Sequence, residues 1–508
     1  MRKLFSVFFL QVVLAVPFFG EKRSECALNG QGGSAPHVRG KVVQSTEEGP
    51  RPFPPKGDKH VRNDTNIAML LSAYRDPRCG QTVFNAFDRA FNASRIHVGV
   101  VQQTMQTGDE FDCVAMFCAL MKRQKGYKEC PYLDRIQIIR VDGAKSTGPI
   151  WARAMQMALV RPEHDFCMQV DAHVDFMLHY DLYLQKMWAM TENEYGILST
   201  YVGNLAADLS AAGEVLVGHP TYDIPVICRV DPGSYGVIRN AQADGGMCLT
   251  KPLLSATWAA GWSFAKCHFE RNVPNDPFLT GMFDGEEFSR AIRAWTHGYD
   301  IYTPHRPIVF HDYIHSRQWQ MEREGTWNGN PEGLDAAVDR YMQLVHKQGR
   351  WSQQKEDALR LGVFGLGDRR TLAQYVQFSG IDPTTSTQLE EKCHRLQFVP
   401  FTEDNGIALA AAPPYPLPLP GNLSKGTDPL PPGALKEEFV PFALEMRSML
   451  KQEAPQVSHK VQMQEFGEPL DQFWHAPIAR VRQQEARAQL EAAANAAAAG
   501  GGAAAGGC

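Results

Sequence analysis

The sequence predicts an α/β domain on a largely parallel sheet, on two observations. From residue 67 onward, apolar runs of strand length alternate with helix-compatible segments at the spacing of strand–helix–strand units. Two of those runs, "FCMQV" and "IVF", stop abruptly at an acid or a histidine, as strands do where they reach a ligand cleft. The composition permits such a domain. With 508 residues, 44% apolar and 10% aromatic, the chain can bury a sizeable core and has room for appendages. A net charge of -5 and the lack of a basic run exclude nucleic acid as an expected partner.

Taken in order, the chain opens with Arg2 and Lys3 before an apolar run over residues 4–20 broken by Ser6, Gln11 and Pro17. Residues 1–20 are expected to be a signal anchor or signal peptide, at the lower limit of a membrane span. Residues 21–66, rich in Gly, Pro and charge, read as a stem. Three sequons, at Asn63, Asn92 and Asn422, agree with the secretory pathway. A Golgi, type II membrane or lumenal location is therefore expected, with the cytoplasm as the alternative. Eleven cysteines allow several bridges, whose pairing is not readable, and the absence of C-x-x-C argues against structural zinc.

The regular pattern follows. Strands are expected at 67–73, 96–101, 135–141, 166–170 and 195–202, and helices over 80–93, 148–162 and about 181–190. The span 67–330 forms the expected catalytic domain, less regular after about 203. Residues 331–400 form a helical extension. Residues 401–508, with "AAAPPYPLPLPG" and a terminal Ala/Gly tract, read as a Pro-rich linker and a largely disordered tail.

The chemistry centres on "QVDAHVDF". Asp171 and His173 are two apart, so in an extended chain both side chains face one side. A carboxylate and an imidazole suit a borderline divalent ion. They equally suit a capped turn and a core histidine, and the motif alone does not decide. A third ligand is best supplied by His311, where "IVF" ends, ahead of His305 and His315. In "FDGEEFSRAIRAW", Gly285 makes a turn and Glu286 and Glu287 open a helix. Two acids in a first turn suit the helix dipole as well as they suit a sugar site. Ser72, Tyr74, Arg75 and Asp76 follow the first strand and can hold a nucleotide. Arg153 lies in the first turns of the helix before D-A-H and can reach an anion.

Together, "SAYRDPRC", "GPIWARAMQMAL", "QVDAHVDF", "LSTYV", "WAAGWSFAK", "VPNDPFLTGMFDGEEFSRAIRAWTHGYDIYTP", "VFHDY" and "GLGDRRTLAQYVQFSGID" resemble the Skp1-type polypeptide N-acetylglucosaminyltransferases over roughly residues 66–385. A more distant similarity is to the polypeptide N-acetylgalactosaminyltransferases. The resemblance implies a GT-A-type, Rossmann-like fold, Mn²⁺, a UDP-GlcNAc donor and retention of anomeric configuration at a hydroxyproline, Thr or Ser acceptor. It implies Asp171, His173 and His311 as metal ligands, and Asp284, Glu286 and Glu287 as the acids at the catalytic centre. Ser72, Tyr74, Arg75, Asp76, Arg153, Asp171, Arg293 and Trp295 are then the donor side. Three positions depart from the family pattern: Ala172 stands where Ser is usual, Asp175 where a basic residue is usual, and Val202 where Pro is expected. Asp175 is expected to put negative charge near the diphosphate. Two further classes stay open. One is a metal-independent glycosidase, disfavoured because adjacent helical acids diverge by about 100°. The other is a non-catalytic UDP-sugar-binding relative.

Overall fold

Strand β1 (Ile67–Tyr74) has Ile67, Met69, Leu70 and Leu71 entirely out of solvent, because neighbours and helices cover both its faces. Burying each such side chain contributes about 1.5–3 kcal/mol. The computed structural model describes residues 65–105, 112–216, 224–241, 243–246, 249–313, 331–346, 361–393, 395–401 and 422–425. The expected anchor at 1–20, nearly all of the expected stem, His315, and all but five residues of the expected 401–508 tail lie outside them. No helix among the described residues is long and apolar enough to cross a membrane.

Helix α1 (Cys79–Arg89) leads to β2 (Ile96–Thr104), and α2 (Cys113–Lys125) to β3 (Ile136–Asp142). α2 is capped by Asp112, whose Oδ1 accepts from the N–H groups of Val114 and Ala115, and it stops at Gly126. The expected helix over 148–162 is α3 (Pro149–Met155), with Pro at its first position, followed by a 3₁₀ turn over Gln156–Leu159. β4 (Phe166–Asp171), β5 (Val174–Phe176), α4 (Tyr180–Ala189), β6 (Gly196–Ser199) and β7 (Gly203–Asn204) come next.

Two short antiparallel pairs occupy the less regular region: β8 (Ile224–Val226) with β11 (Asp244–Gly246), and β9 (Val230–Pro232) with β10 (Ile238–Asn240). Then follow β12 (Leu253–Ser255), β13 (Trp262–Lys266), α5 (Glu286–Thr296), β14 (Asp300–Thr303) and β15 (Val309–His311). The extension carries α6 (Pro331–Leu344), α7 (Leu372–Ser379) and the pair β16 (Ile381–Asp382) and β17 (Thr387–Gln388). α7 starts at a capping box between Thr371 and Gln374. The last strand is β18 (Asn422–Lys425).

The main sheet has nine strands in the order β12-β14-β6-β13-β4-β1-β2-β3-β18. β1 to β4, β6 and β14 run one way, as expected, but the sheet is mixed. β13 runs antiparallel between β4 and β6, pairing Trp262 with Val170. That reversal brings Gly261, just ahead of β13, against Asp171 at the end of β4. β18 adds an antiparallel edge to β3, so the expected linker contributes a strand. Cross-strand pairing to an open edge needs only a short extended segment, which a Pro-rich setting still supplies. A small second sheet, β5-β15-β7, lies beyond the carboxyl end of β4. An α/β sheet with a reversed strand beside D-A-H and a small sheet after it is the GT-A-type fold.

One face of the main sheet packs Ala68, Leu70, Val101 and Ile139 against Trp151, Ala152 and Met155 of α3. At the other side of β4, Ala291 and Ala294 of α5 cover Ile197, Ala265 and Ile301. Among the described residues, four disulfides join Cys79–Cys113, Cys118–Cys130, Cys167–Cys267 and Cys228–Cys393. The last closes a separation of 165 residues and ties the extension to the β8–β11 region. Replacing Cys228 and Cys393 together by Ala is expected to cost about 2–5 kcal/mol, measured by urea unfolding of otherwise oxidised protein.

Candidate active site

Three polar ends converge where the main sheet meets the small one. β4 delivers Asp171, β5 is preceded by His173, and β15 ends in His311. Backbone pairing fixes all three: Asp171 sits in register with Ser72, and His311 lies opposite Val174 and Asn204. Thr82 of α1 clamps the turn between them, its hydroxyl 2.8 Å from the Ala172 carbonyl and accepting from the Val174 N–H at 3.2 Å. Gly261 leaves room for the acid. A Cβ there would lie 3.0 Å from Asp171 Oδ2, while the Gly261 carbonyl accepts the Asp171 N–H.

His173 Nε2 stands 2.8 Å from His311 Nε2, and His311 Nε2 is 3.5 Å from Asp171 Oδ2. One ligand atom from each residue falls within 4.8 Å of the others. His173 Nδ1 faces Asp76 Oδ2 at 2.6 Å. A carboxylate only accepts, so Nδ1 carries the hydrogen and Nε2 offers its lone pair inward. Two imidazole nitrogens at this separation need a cation or a shared proton between them. Cis ligands of one divalent ion, each at about 2.1 Å, stand about 3 Å apart, so the set fits such an ion. Two nitrogens and one oxygen suit Mn²⁺ or Zn²⁺ over Ca²⁺.

The electrostatics agree. Burial works to raise the Asp171 carboxyl, but the His311 hydrogen bond and Arg153 hold it well below the usual carboxylate range. Burial alone would lower His173; Asp76 outweighs it and raises the ring above its ordinary value. His311 is pushed down by burial and by the neighbouring His173. Asp76 differs from expectation: it orients the His173 ring from its Nδ1 side. Asp76→Asn is expected to weaken Mn²⁺ binding about 10–100-fold, read by metal titration, with the fold intact.

Arg153 of α3 bridges the site to α5. Its Nη1 donates to both carboxylate oxygens of Glu286 at 2.7 and 2.6 Å, and its Nη2 donates to Asp171 Oδ1 at 2.9 Å. Gly285, at φ 93, turns the chain so that α5 starts with Glu286 against Arg153. Glu287 points elsewhere, accepting from the Ala260 N–H and the Asn240 amide, each at 2.9 Å, with the Tyr201 hydroxyl at 3.4 Å. Burial, with Glu286 beside it, pushes the Glu287 carboxyl up to about 7. The native state therefore holds a proton there that the unfolded chain releases at lower pH, and the associated stability is lost as pH rises through about 7. From about pH 4 to about pH 8, the wild type is expected to lose about 2–3 kcal/mol more stability than Glu287→Gln, measured by urea unfolding.

The remaining expected residues divide. Ser72 accepts from the Gln156 amide at 3.0 Å, beside Asp171. Tyr74 ends β1, and Arg75 follows in the left-handed region at φ 52 with its N–H on the Gln103 carbonyl. Arg293 and Trp295 are not brought to the cluster. Two turns along α5, Arg293 donates to the Pro274 and Val363 carbonyls, and Trp295 stacks on Phe378 of α7. Their spacing on the helix directs them into the core shared with the extension. Asp284 accepts from the Ser234 N–H at 2.8 Å and holds the β9–β10 turn.

Asp175 is a correction too. It is 3% exposed and faces Arg89 at 3.6 Å, tying β5 to α1, so its charge does not face the diphosphate side. Ala172 is buried, and the Val202 carbonyl accepts the Tyr313 hydroxyl. His305 is buried apart from the cluster. Sequence reasoning missed Thr82, Gly261 and the buried Arg78–Asp312 pair at 2.5 Å, which anchors the residue next to His311. Arg78, Gly261 and Asp312 lie inside motifs that carry the resemblance, but their roles depend on contacts made far along the chain.

The sequence pattern of the family described as "Glycosyltransferase (GlcNAc)" matches residues 66–385, more than half of the chain. No curated protein matches it. Among solved structures, GalNAc-T7 with UDP, GalNAc and Mn²⁺ is similar at 12% identity and a TM-score of 0.40, over 62% of this chain and 56% of that one. The chain thus spans little more than half the length of GalNAc-T7. TarS residues 1–349 from S. aureus is similar at 11% identity and a TM-score of 0.30, over 62% and 73%. The mannosyltransferase PcManGT from Pyrobaculum calidifontis, in complex with GDP-Man and Mn²⁺, is similar at 10% identity and a TM-score of 0.30, over 63% and 73%.

Proposed function

The chain belongs to the glycosyltransferase (GlcNAc) family, and from that premise we propose that it is a retaining, metal-dependent polypeptide transferase of the Skp1 type. It moves GlcNAc from UDP-GlcNAc to a hydroxyl of hydroxyproline, Thr or Ser in a protein acceptor. The observation behind this reading is the convergence of Asp171, His173 and His311 beside an Arg153–Glu286 pair at the carboxyl end of β4.

Asp171, His173 and His311 would hold Mn²⁺, which when bound supplies Lewis-acid neutralisation of charge on the donor diphosphate. Asp76 keeps His173 in the tautomer that presents Nε2. Arg153 ties Asp171 to Glu286 and partly neutralises the two carboxylates where the diphosphate would sit. Glu286, pinned by Arg153, orients the donor sugar. Glu287, pushed up to about 7, is about half protonated at neutral pH and in that form can donate as well as accept toward a sugar hydroxyl. The acceptor hydroxyl attacks from the leaving-group face and passes its proton to a phosphate oxygen, so no side-chain base is assigned.

The four disulfides support an oxidising compartment, and with the apolar run at residues 1–20 we place the protein in the Golgi or secretory lumen, attached through that run. The test of the reaction supplies Mn²⁺, UDP-GlcNAc or UDP-GalNAc, and peptides carrying hydroxyproline, Thr or Ser. Mass gain by GlcNAc on a peptide is expected. Donor binding without transfer to any peptide class would sink the enzymatic reading, and transfer of GalNAc alone would overturn the donor.

A further inference from the structure

We propose a second anion site, on the opposite edge of the main sheet, in which Arg135, Arg161, His97 and His164 bind a phosphate-class oxyanion. The cleft opens between the amino ends of β1, β2 and β3, lined by Ala68, Val98, Asp134 and Gln137 as well as these four side chains; its ≈ 240 Å³ of open space includes the solvent at its mouth. Ala68, in the cleft, pairs with Cys167 of β4, four residues before Asp171. At about 3.3 Å per residue, the two sites lie about 13 Å apart along the strands.

The hydrogen bonds fix what the cleft offers. The Arg161 N–H lies 3.1 Å from His164 Nδ1, which must accept, so the neutral ring carries its hydrogen on Nε2. That Nε2 is buried without an acceptor, in a residue only 5% exposed. Arg135 Nη1 lies 3.3 Å from His97 Nε2. A guanidinium only donates, so this nitrogen also accepts and the His97 hydrogen sits on Nδ1. The two rings are 4.9 Å apart.

Both imidazole lone pairs are thus spent inside the protein, which removes them as metal ligands and leaves the His164 Nε2–H buried without an acceptor. Arg135 has no carboxylate partner among the described residues. Arg161 donates through Nε to Gln137 at 2.9 Å and lies 3.6 Å from Glu163. Arg271 adds a third guanidinium behind it, donating to the Arg161 carbonyl. Three arginines thus outnumber the two nearby acids, Asp134 and Glu163. Burial first, and Arg135 and Arg161 next, lower His97, while burial and His97 lower His164 to about 4, so both rings stay neutral donors at physiological pH. An orphaned buried N–H beside unspent guanidinium donors is complementary to an oxyanion, whose oxygens only accept.

Calorimetric titration of the full chain, loaded with Mn²⁺ and saturating UDP to fill the donor site, with inorganic phosphate at fixed ionic strength, tests this. Saturable binding is expected, weakened about 10-fold or more in Arg135→Gln and in Arg161→Gln. A parallel titration with phosphoserine separates the sources. Binding of phosphate alone means a free ion, and equal or tighter binding of phosphoserine means a phosphorylated ligand. Absence of binding by either, or binding unaffected in both arginine variants, would overturn the proposal. Because it concerns neither donor nor acceptor chemistry, it stands or falls separately from the transferase reading.

Discussion

Asp171→Ala is expected to lower GlcNAc transfer by about 10³-fold or more, with no rescue by added Mn²⁺. The carboxylate is the oxygen member of the cluster and also accepts the Arg153 Nη2–H, so its loss removes one proposed metal ligand and one of Arg153's two carboxylate partners at once. The side chain is 23% exposed and its strand pairing is made by backbone, so the variant should fold normally. Asp171→Asn preserves the shape and loses the charge, and is expected to fall by a similar factor. Steady-state kinetics alongside thermal unfolding separates the two effects. Activity within about 10-fold of wild type, in folded protein, would contradict the assignment.

Arg153→Leu is expected to cost both chemistry and stability. Arg153 is 12% exposed and sits between the buried Glu286 and Asp171. The two carboxylates raise its basicity above the ordinary guanidinium value although burial opposes this. Taking the cation away leaves Glu286 desolvated without a partner, at a cost of about 3–5 kcal/mol. Transfer is expected to fall about 10²-fold or more through lost positioning and lost charge at the leaving group. Arg153→Lys returns the charge without the two-pronged geometry, and should recover stability better than kcat. A Leu variant as stable as wild type would mean that the pair is not closed in solution.

The parts of the site carried by local pattern were legible in the sequence. D-A-H and "IVFH" each place polar residues where an apolar strand stops, and the two meet because β15 pairs with β5. "DGEE" correctly marks the start of α5. What the sequence hid is the set of contacts across long separations. Asp76 reaches His173 over 97 residues, and Arg153 reaches Glu286 over 133. Neither spacing leaves a local trace.

Asp175 was misread for the same reason: its distance from the cluster depends on Arg89, which packs from α1. Arg293 and Trp295 share a helix with Glu286, but proximity along a helix is not proximity to its amino end. β13 lacks alternation because both its faces are buried, all five residues being out of solvent, so periodicity could not announce a reversed strand. β18 is four residues inside a Pro-rich stretch, where composition outweighs any strand signal.

The central claim is that Asp171, His173 and His311 hold one divalent ion at the end of β4. Pulsed EPR of the protein loaded with Mn²⁺ and UDP tests it without reference to turnover. The account predicts coupling of one Mn²⁺ to two imidazole nitrogens, reduced to one in His173→Ala and in His311→Ala. Tight Mn²⁺ binding with no nitrogen coupling, or coupling unchanged in both variants, would contradict it.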